Sequence, residues 1–222
     1  MFCAVIVAAG SSRRAGFDKL SALLDGVPVL RRSVDAFVAA GAAAVVVVCP
    51  ESRWVETGLD TAVFPVPVSR VEGGVERQDS VAAGLAALPA TTCMVAVHDG
   101  ARPLITPEGI RTCLAAAEEC GAAACAHPVV DTLKRADASG CSLPEKVSRE
   151  GLWGMETPQI FRLELLRQSY EYVKEHALVV TDEVSAVEAL GVPTRLVAGP
   201  VNLKITLPGD LELAELIWKH RA

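Results

Sequence analysis

The stretch CAVIVAAG, residues 3–10, is an unbroken apolar run that ends in a glycine. Comparable runs of strand length recur along the chain, with segments of helical periodicity between them. They occupy residues 43–50, 62–69, 93–99 and 121–130. Runs of Val and Ala without alternation are typical of strands that are covered on both faces. We therefore predict a Rossmann-like α/β fold, with a mainly parallel sheet and helices on both faces.

The segments between these runs predict helices, and one of them has marked boundaries. Thr106 supplies a capping oxygen, Pro107 suits the first turn, and Gly121 ends the segment. The other predicted helices cover residues 28–41, 52–57, 77–88, 162–174, a segment capped by Thr181 and closed near Gly191, and 208–220. The sequences PTRLVAG (193–199) and NLKIT (202–206) predict two further strands.

Residues 130–158 interrupt this alternation of strands and helices. The segment is polar, alternates weakly, and contains the turn-like sequence DASG at residues 137–140. Such a pattern favours a β-hairpin that projects from the sheet over a further strand–helix unit. With 222 residues the chain is long enough for one well-packed domain. We predict a single domain over residues 1–222, with a projecting β-hairpin arm at 130–158.

The composition argues against several classes of function. The net charge is −6 and no basic stretch is present, which argues against a general nucleic-acid binder. The 7 cysteines form no C-x-x-C pair and lie mostly in apolar runs, a pattern typical of buried, reduced thiols in a cytoplasmic protein. The N-terminal apolar run has no charged leader and is too short to cross a bilayer, so we expect no membrane association.

The first predicted strand leads into AAGSSRRAGFDKL, residues 8–20. This loop has neither the dinucleotide pattern G-x-G-x-x-G nor the phosphate loop G-x-x-x-x-G-K-[ST]. Its small residues let backbone amides approach an anion, and Arg13, Arg14 and Lys19 add positive charge. On this loop alone, a phosphate site and a surface turn with solvated arginines are equally open.

A second loop, VEGGVERQDSVAAGL at residues 71–85, follows another predicted strand. Gly73 and Gly74 permit close contact with a planar ligand, because they carry no side chain. Ser80 begins a helix, where its hydroxyl can bond the edge of a base. A glycine turn followed by an ordinary helix start explains the same residues equally well.

A third loop, VHDGARP at residues 97–103, places a lone carboxylate at a strand end. Asp99 can hold Mg²⁺, which usually takes one or two protein carboxylates and lets substrate phosphates supply the rest. Arg102 can then bind a second anion, although an aspartate that caps a turn is the alternative. Because ligands of open parallel sheets lie beyond the carboxyl ends of the strands, we expect the three loops to converge.

These stretches belong to a longer series of motifs in the chain. In order they are AAG…R…K, GG…R.DSV..GL, HDGARP, DTLK (131–134), REGLW…TPQ.F (149–161), TDE.SA.E (181–188) and NLKIT (202–206). Together they resemble the 2-C-methyl-D-erythritol 4-phosphate cytidylyltransferase family over essentially the whole chain. The resemblance implies an enzyme that transfers CMP from CTP to 2-C-methyl-D-erythritol 4-phosphate and releases pyrophosphate. The product would be 4-diphosphocytidyl-2-C-methyl-D-erythritol, an intermediate of non-mevalonate isoprenoid synthesis.

The resemblance also implies roles for individual residues. Arg14 and Lys19 would be the catalytic cations, and Asp99 would hold Mg²⁺. CTP would be bound by Ala8, Ala9, Gly10, Gly74, Ser80 and Gly100. The phosphate of the acceptor, a sugar-alcohol phosphate, would be bound by Arg102, Thr132, Arg149, Thr157 and Lys204. The arm would hook onto a second subunit, so that Thr132 and Arg149 complete the neighbour's site in a homodimer.

Two regions depart from the family pattern. In the first loop, Ala15 stands where a methionine is frequent, and Asp18-Lys19-Leu20 replaces P-K-Q. Val201 stands where the family often has an acidic residue, which predicts weaker metal binding or altered substrate contact.

Three alternatives are open at this point. A cytidylyltransferase acting on ribitol 5-phosphate would share the fold and most of the motifs. The departures at the first loop and at Val201 allow a catalytically weak, CTP-binding relative. An NAD-dependent dehydrogenase has the same fold class, but the missing glycine fingerprint and the basic loop argue against it.

Overall fold

The computed structural model describes residues 1–10 and 17–221, and in these ranges strands and helices alternate for most of the length. The strands are β1 (Phe2–Val7), β2 (Leu23–Leu24), β3 (Val27–Pro28), β4 (Val45–Val48), β5 (Val68–Val71), β6 (Met94–Asp99), β7 (Ala122–Pro128), β8 (Trp153–Arg162) and β9 (Arg195–Val197). The helices are α1 (Val29–Ala40), α2 (Glu51–Glu56), α3 (Arg77–Ala86), α4 (Pro107–Cys120), α5 (Leu163–Glu175), α6 (Glu183–Glu188) and α7 (Pro208–Arg221). Of the helices in the described ranges, none is long and apolar enough to cross a membrane.

The main sheet has 7 strands in the order β5-β4-β1-β6-β8-β7-β9, and β2 and β3 form a separate small hairpin. β8 runs antiparallel to both of its neighbours, β6 and β7. Every other pairing in the main sheet is parallel. The prediction of a mainly parallel α/β sheet is therefore confirmed. The carboxyl ends of β1, β4 and β6 meet at one edge of this sheet.

Both faces of the sheet are covered by helices, as the unbroken apolar runs predict. On β1, Ala4 and Ile6 point to one face while Cys3 and Val5 point to the other, and all of them are fully buried. Helices α1, α4 and α7 pack on the first face, and α3, α5 and α6 pack on the second. Since successive residues of a strand face opposite sides, two apolar faces leave no alternation in the sequence.

Helix α4 has the predicted boundaries, whereas α6 is capped by a different residue. Thr106 Oγ1 accepts a hydrogen bond from the Gly109 amide at 3.0 Å. Asp182, and not Thr181, caps α6, because its Oδ1 accepts a hydrogen bond from the Ser185 amide at 2.9 Å. The carboxylate reaches that amide from an extended backbone directly before the helix, so the prediction of Thr181 as the cap is wrong.

Two of the predicted strands are shortened or absent. β5 covers Val68–Val71 instead of residues 62–69. Pro65 and Pro67 lack the N–H group that a strand ladder needs, which delays the start of pairing. Residues 202–206, predicted as a strand, form none.

The projecting segment is smaller than predicted. Of the predicted range 130–158, residues 153–158 belong to β8 and pair within the main sheet. The predicted boundary is therefore wrong at its C-terminal end, because residues 153–155 already pair with β7 as part of β8. Residues 130–152, which we call the arm, are largely exposed.

Within the arm, the predicted turn is present but the hairpin is minimal. Gly140 N–H donates to Asp137 O at 3.0 Å, which closes the turn. Ala136 and Ser142 form a β-bridge beside it, and no strand of the arm is long enough to form an extended ladder. The arm thus packs little apolar surface against its own chain.

The expectation of buried thiols is correct for part of the set. Burial is found for Cys3, Cys49, Cys113 and Cys125. The expectation is wrong for the exposed residues Cys93, Cys120 and Cys141. All of the cysteines lie in the described ranges and none forms a disulfide. Burial raises the pKa of Cys49 to about 11, so this thiol stays protonated at neutral pH.

Candidate active site

A cavity of about 500 Å³ opens at the carboxyl ends of the parallel strands. The loops after β1 and β6 and the loop between β5 and α3 meet there. Predicted site residues that line this cavity are Ala8, Ala9, Gly10, Lys19, Gly74, Ser80, Asp99 and Lys204. The structure thus brings together residues from four separate motifs. Arg14, predicted as a catalytic cation, lies outside the described residues.

The glycines of the second and third loops let these loops pack against the first loop and α1. A Cβ atom at Gly73 would lie 2.4 Å from Ala9 Cβ. At Gly100 it would lie 2.7 Å from Leu30 Cδ1. Both distances are far below van der Waals contact, so neither position accepts a side chain without displacing its neighbour. Close packing between protein segments therefore requires these glycines, whatever they contribute to a ligand.

Ser80 holds the glycine loop through its hydroxyl group. Ser80 Oγ accepts a hydrogen bond from the Gly74 amide at 3.1 Å and donates to Glu76 O at 3.3 Å. The side chain is buried beneath the loop. Its contact with a base edge stays a prediction, and the hydroxyl already fixes the backbone of Gly74 at the cavity wall.

Asp99 is surrounded by cationic side chains at the end of β6. Its Oδ2 lies 2.7 Å from Lys204 Nζ and 3.9 Å from Arg102 Nε, and its Oδ1 lies 3.5 Å from Arg77 Nη2. Burial by itself would raise the pKa of Asp99, but Lys204 and Arg77 outweigh it and hold the pKa at about 2. The carboxylate is therefore ionised at neutral pH. Lys204, Arg102 and Arg77 thus surround Asp99, while Arg77 also pairs with Glu183, and such cations suit a polyphosphate ligand.

His98 and Thr157, both in the sheet, hold the backbone of Asp99 in place through hydrogen bonds. His98 Nε2 lies 3.2 Å from Arg102 O, which can only accept, so Nε2 carries a proton. Burial lowers the pKa of His98 to about 4, so the ring is neutral and its Nδ1 accepts from the Thr157 hydroxyl at 3.0 Å. Thr157 Oγ1 in turn accepts from the Asp99 amide at 3.0 Å. Contact of Thr157 with substrate stays a prediction, and this buried hydroxyl points into the protein.

Arg102 is held by backbone carbonyls on either side of it. Its Nη1 donates to Asn202 O at 2.7 Å and its Nη2 donates to Met155 O at 3.4 Å. Asn202 Nδ2 donates to Thr157 O at 2.7 Å, which ties the segment at 202–206 to β8. Arg102 Nε is buried and hydrogen-bonds to none of the described residues. The predicted phosphate contact of Arg102 stays a prediction.

Arg77 is a cavity residue to which the motif analysis gave no role. It pairs with both carboxylate oxygens of Glu183 on α6, at 2.9 Å for the Nη2–Oε2 contact. Glu183 is fully buried and also accepts from Tyr170 OH at 3.0 Å. This ion pair joins α3 to α6 and presents the Arg77 guanidinium to Asp99. The sequence indicated Arg77 only as the arginine of the R.DSV motif, and this motif does not show which groups the side chain contacts.

The two predicted substrate residues on the arm do not join the cavity. Thr132 is exposed, and neither it nor Arg149 is among the residues that line the cavity. Arg149 is also exposed, and its Nη1 donates to Val130 O within the arm itself. In the described chain, Thr132 and Arg149 therefore lie apart from the cavity, whereas Lys204, another predicted acceptor residue, lines it.

The donor set fits a magnesium ion that is shared with phosphates. Among the described residues, no group of three or more His, Cys, Asp and Glu side chains comes together to form a metal cage. Asp99 is an ionised carboxylate that lines the cavity and is 13% exposed at its side chain. One carboxylate plus substrate oxygens is the arrangement that Mg²⁺ commonly uses in phosphoryl-transfer sites.

Comparison with known proteins places this geometry in a family. The sequence model described as IspD: 2-C-methyl-D-erythritol 4-phosphate cytidylyltransferase matches residues 2–220. The chain is 40% identical over 223 aligned positions to the 2-C-methyl-D-erythritol 4-phosphate cytidylyltransferase of Synechococcus elongatus, covering 98% of this chain and 96% of that one.

Solved structures give the same result. The crystal structure of 2-C-methyl-D-erythritol 4-phosphate cytidylyltransferase from Thermus thermophilus superposes with a TM-score of 0.79 at 34% identity, covering 99% and 100% of the two chains. The 4-diphosphocytidyl-2C-methyl-D-erythritol synthase structure from Anaerococcus prevotii shares the fold, with a TM-score of 0.85 at 24% identity and 98% coverage of both chains. The family match therefore spans the whole cavity and the arm. This chain belongs to the 2-C-methyl-D-erythritol 4-phosphate cytidylyltransferase family.

Proposed function

We propose that this protein transfers CMP from CTP to 2-C-methyl-D-erythritol 4-phosphate, releasing pyrophosphate and giving 4-diphosphocytidyl-2-C-methyl-D-erythritol. The observation that carries this proposal is the cavity in which Lys204 and Arg77 lie close to Asp99, and which Lys19 and the Ala8–Gly10 backbone also line. Family membership supports the same reaction. No observation favours a dehydrogenase.

The chemistry requires charge neutralisation more than proton transfer. The attacking phosphate is already an anion near neutral pH, so its attack on the α-phosphorus of CTP needs no general base. His98 fits this expectation, because both ring nitrogens are hydrogen-bonded inside the protein and the ring is neutral. Lys19 and Arg14 would oppose the charge that develops on the α-phosphoryl oxygens and on the leaving pyrophosphate. Lys204 and Arg102 would orient the acceptor phosphate.

A divalent cation, Mg²⁺ or a similar ion, belongs to this proposal. Asp99 would hold it, with oxygens of the triphosphate as the remaining ligands. When bound, the ion offsets negative charge on the phosphates and aligns them. Lys204 and Arg77 keep the Asp99 carboxylate ionised, which is the form that binds a metal ion.

We also propose a homodimer in which each arm completes the neighbour's acceptor site. Thr132 and Arg149 are exposed and stand apart from the cavity of their own chain, which supports a role across a subunit boundary. The arm is polar and makes few contacts with the rest of its own chain, so a partner subunit would stabilise its position. A cytoplasmic location is part of the same proposal, on the basis of cysteines that form no disulfide.

The acceptor is decided by a direct assay. Pyrophosphate release is measured with CTP and Mg²⁺, using 2-C-methyl-D-erythritol 4-phosphate in one reaction and ribitol 5-phosphate in another. Release with the first acceptor alone is the expected result. Release with ribitol 5-phosphate alone would keep the mechanism and change the substrate. CTP binding without release in either reaction would identify a catalytically weak relative.

A further inference from the structure

Arg53 lies on α2, in a segment that matches none of the motifs, yet it reaches the loop after β1. Its Nη1 donates to Ala8 O at 2.5 Å and lies 3.4 Å from Gly10 O. Its Nη2 and Nε lie 3.3 and 3.4 Å from Asp18 Oδ2. One guanidinium therefore contacts the chain where it leaves β1 and again at Asp18, the residue before Lys19.

This guanidinium is almost entirely removed from solvent. Arg53 is 8% exposed, and the positions that it joins are 35 to 45 residues away along the chain. The planar fork of an arginine carries five donors in fixed directions, so it can serve carbonyl groups and a carboxylate at the same time. Hydrogen bonds from a charged donor are stronger than neutral ones, and together they impose one geometry.

We propose that Arg53 is a positioning residue for CTP binding. It fixes the backbone at Ala8 and Gly10 and the approach to Lys19, so that these groups meet the triphosphate without rearrangement. Arg53 is absent from the residues that line the cavity, so it acts through those that do. Binding groups held in place in advance avoid an ordering cost when the ligand arrives. The inference rests on the proposed function, because it takes the first loop as part of the CTP site.

Arg32 offers a matched control within the same chain. Its Nη2 donates to Leu24 O at 3.1 Å and to Asp25 O at 3.0 Å, and lies 3.4 Å from Asp25 Oδ2. Its side chain is 16% exposed, against 10% for Arg53. It therefore also ties a carboxylate and two carbonyl groups, but at the turn between β2 and β3. Neither Arg32 nor that turn lines the cavity.

The experiment compares Arg53→Met with Arg32→Met in the full chain. CTP affinity is measured by calorimetry with Mg²⁺, and the KM values for CTP and for the acceptor by pyrophosphate release. Arg53→Met is expected to weaken CTP binding about tenfold, equivalent to about 1.4 kcal/mol, while the acceptor KM changes less than about twofold. Arg32→Met is expected to lower thermal stability to a similar extent and to leave both KM values within about twofold.

Two further variants separate geometry from charge. Arg53→Lys keeps the positive charge, but a single ammonium cannot join both ends of the loop. It is expected to weaken CTP binding by less than Arg53→Met does. Asp18→Asn removes the negative charge at the far end, and combining it with Arg53→Met should weaken binding by less than the product of the two separate effects. These variants keep the inference testable if Arg53→Met does not fold.

Two results would overturn the inference. CTP binding by Arg53→Met or by Arg53→Lys that equals the wild type would show that the bridging contacts are not needed. An equal loss in Arg32→Met would show that general stability is responsible. A wild-type protein that binds CTP but releases no pyrophosphate would remove the proposed function alone, since the comparison of CTP affinities still stands.

Discussion

The cavity and the arm hold their predicted substrate residues in opposite ways. In the cavity, Asp99 is fixed by Lys204, Arg77 and the Thr157 hydroxyl, all of which come from other segments of the chain. On the arm, Arg149 is exposed and its hydrogen bond to the rest of the arm goes to a backbone carbonyl at Val130.

This difference lies in the sequence separation of the contacts. The cavity contacts join residues 58 and 106 positions apart, so the folded body enforces their geometry. The contacts of the arm are local and mostly exposed, so the described residues hold it only loosely against the rest of the chain. In the proposed homodimer, a second subunit would set the position of the arm.

The largest effect is expected inside the cavity. Asp99→Ala and Lys19→Ala should each lower turnover by about 10³-fold, because the first removes the proposed Mg²⁺ ligand and the second removes a cation that would face the reacting phosphates. Pyrophosphate release measures the loss, and circular dichroism checks that the variants stay folded. Asp60→Ala, at an exposed position, is the control and should retain turnover. Near-normal activity of either cavity variant would remove that residue from the catalytic machinery.

The next effect concerns the free energy of unfolding as a function of pH. Burial raises the pKa of Cys49 to about 11, whereas an unfolded thiol titrates near 9.0. Between these values the unfolded state loses its proton first, so stability is full below pH 9 and falls as pH rises toward 11. The expected loss from this group is about 3 kcal/mol. Urea unfolding of wild type and Cys49→Ala across that range measures it.

Cys141 provides the matched control for this pH dependence. It is an exposed thiol of the arm. Cys141→Ala should keep the wild-type fall in stability, whereas Cys49→Ala should lose part of it. The same slope in all three proteins would show that other groups cause the fall.

A smaller effect is expected on the arm. Arg149→Ala should raise the KM for the acceptor about tenfold while CTP binding changes little, because the arginine would serve only the acceptor phosphate. Steady-state kinetics with each substrate varied in turn measures the two effects. Arg135→Ala removes another exposed arm arginine, one that pairs with Glu145 at 3.3 Å, and should change neither KM. Equal losses for both substrates in Arg149→Ala would place Arg149 in the nucleotide site instead.

The smallest effect is expected at Val201, which is 59% exposed beside the cavity segment 202–206. Val201→Glu should lower the Mg²⁺ concentration for half-maximal turnover by about threefold, since an exposed charge contributes less than about 1 kcal/mol. A magnesium titration of turnover measures this shift. Val63→Glu adds the same charge at a valine that is 92% exposed elsewhere, and should leave the titration unchanged. Identical titrations for all three proteins would show that the position has no influence on the metal.

The sequence predicted that the three loops converge, but it did not predict the contacts between their residues. Strand-end motifs predicted that Asp99, Gly74 and Lys19 would meet, and they line one cavity. The same reasoning did not find Arg53, because a short helix with one arginine has no distinguishing pattern. The substrate contact of Thr157 stays a prediction, and the sequence did not indicate that its hydroxyl bonds to His98 and to the Asp99 amide.

By itself, the sequence determined the fold class, the order of most elements and the membership of the family. Unbroken apolar runs, helix caps such as Thr106 and ordered motifs are patterns of residues that are close in sequence. They can therefore be recognised without the tertiary structure. Tertiary structure alone decided that β8 enters the sheet antiparallel between β6 and β7, that Asp99 is held among cations, and that Arg53 joins both ends of the first loop. These features depend on contacts between segments that are distant in sequence. Strand order and packing determine such contacts, and the residues next to each position in the sequence do not.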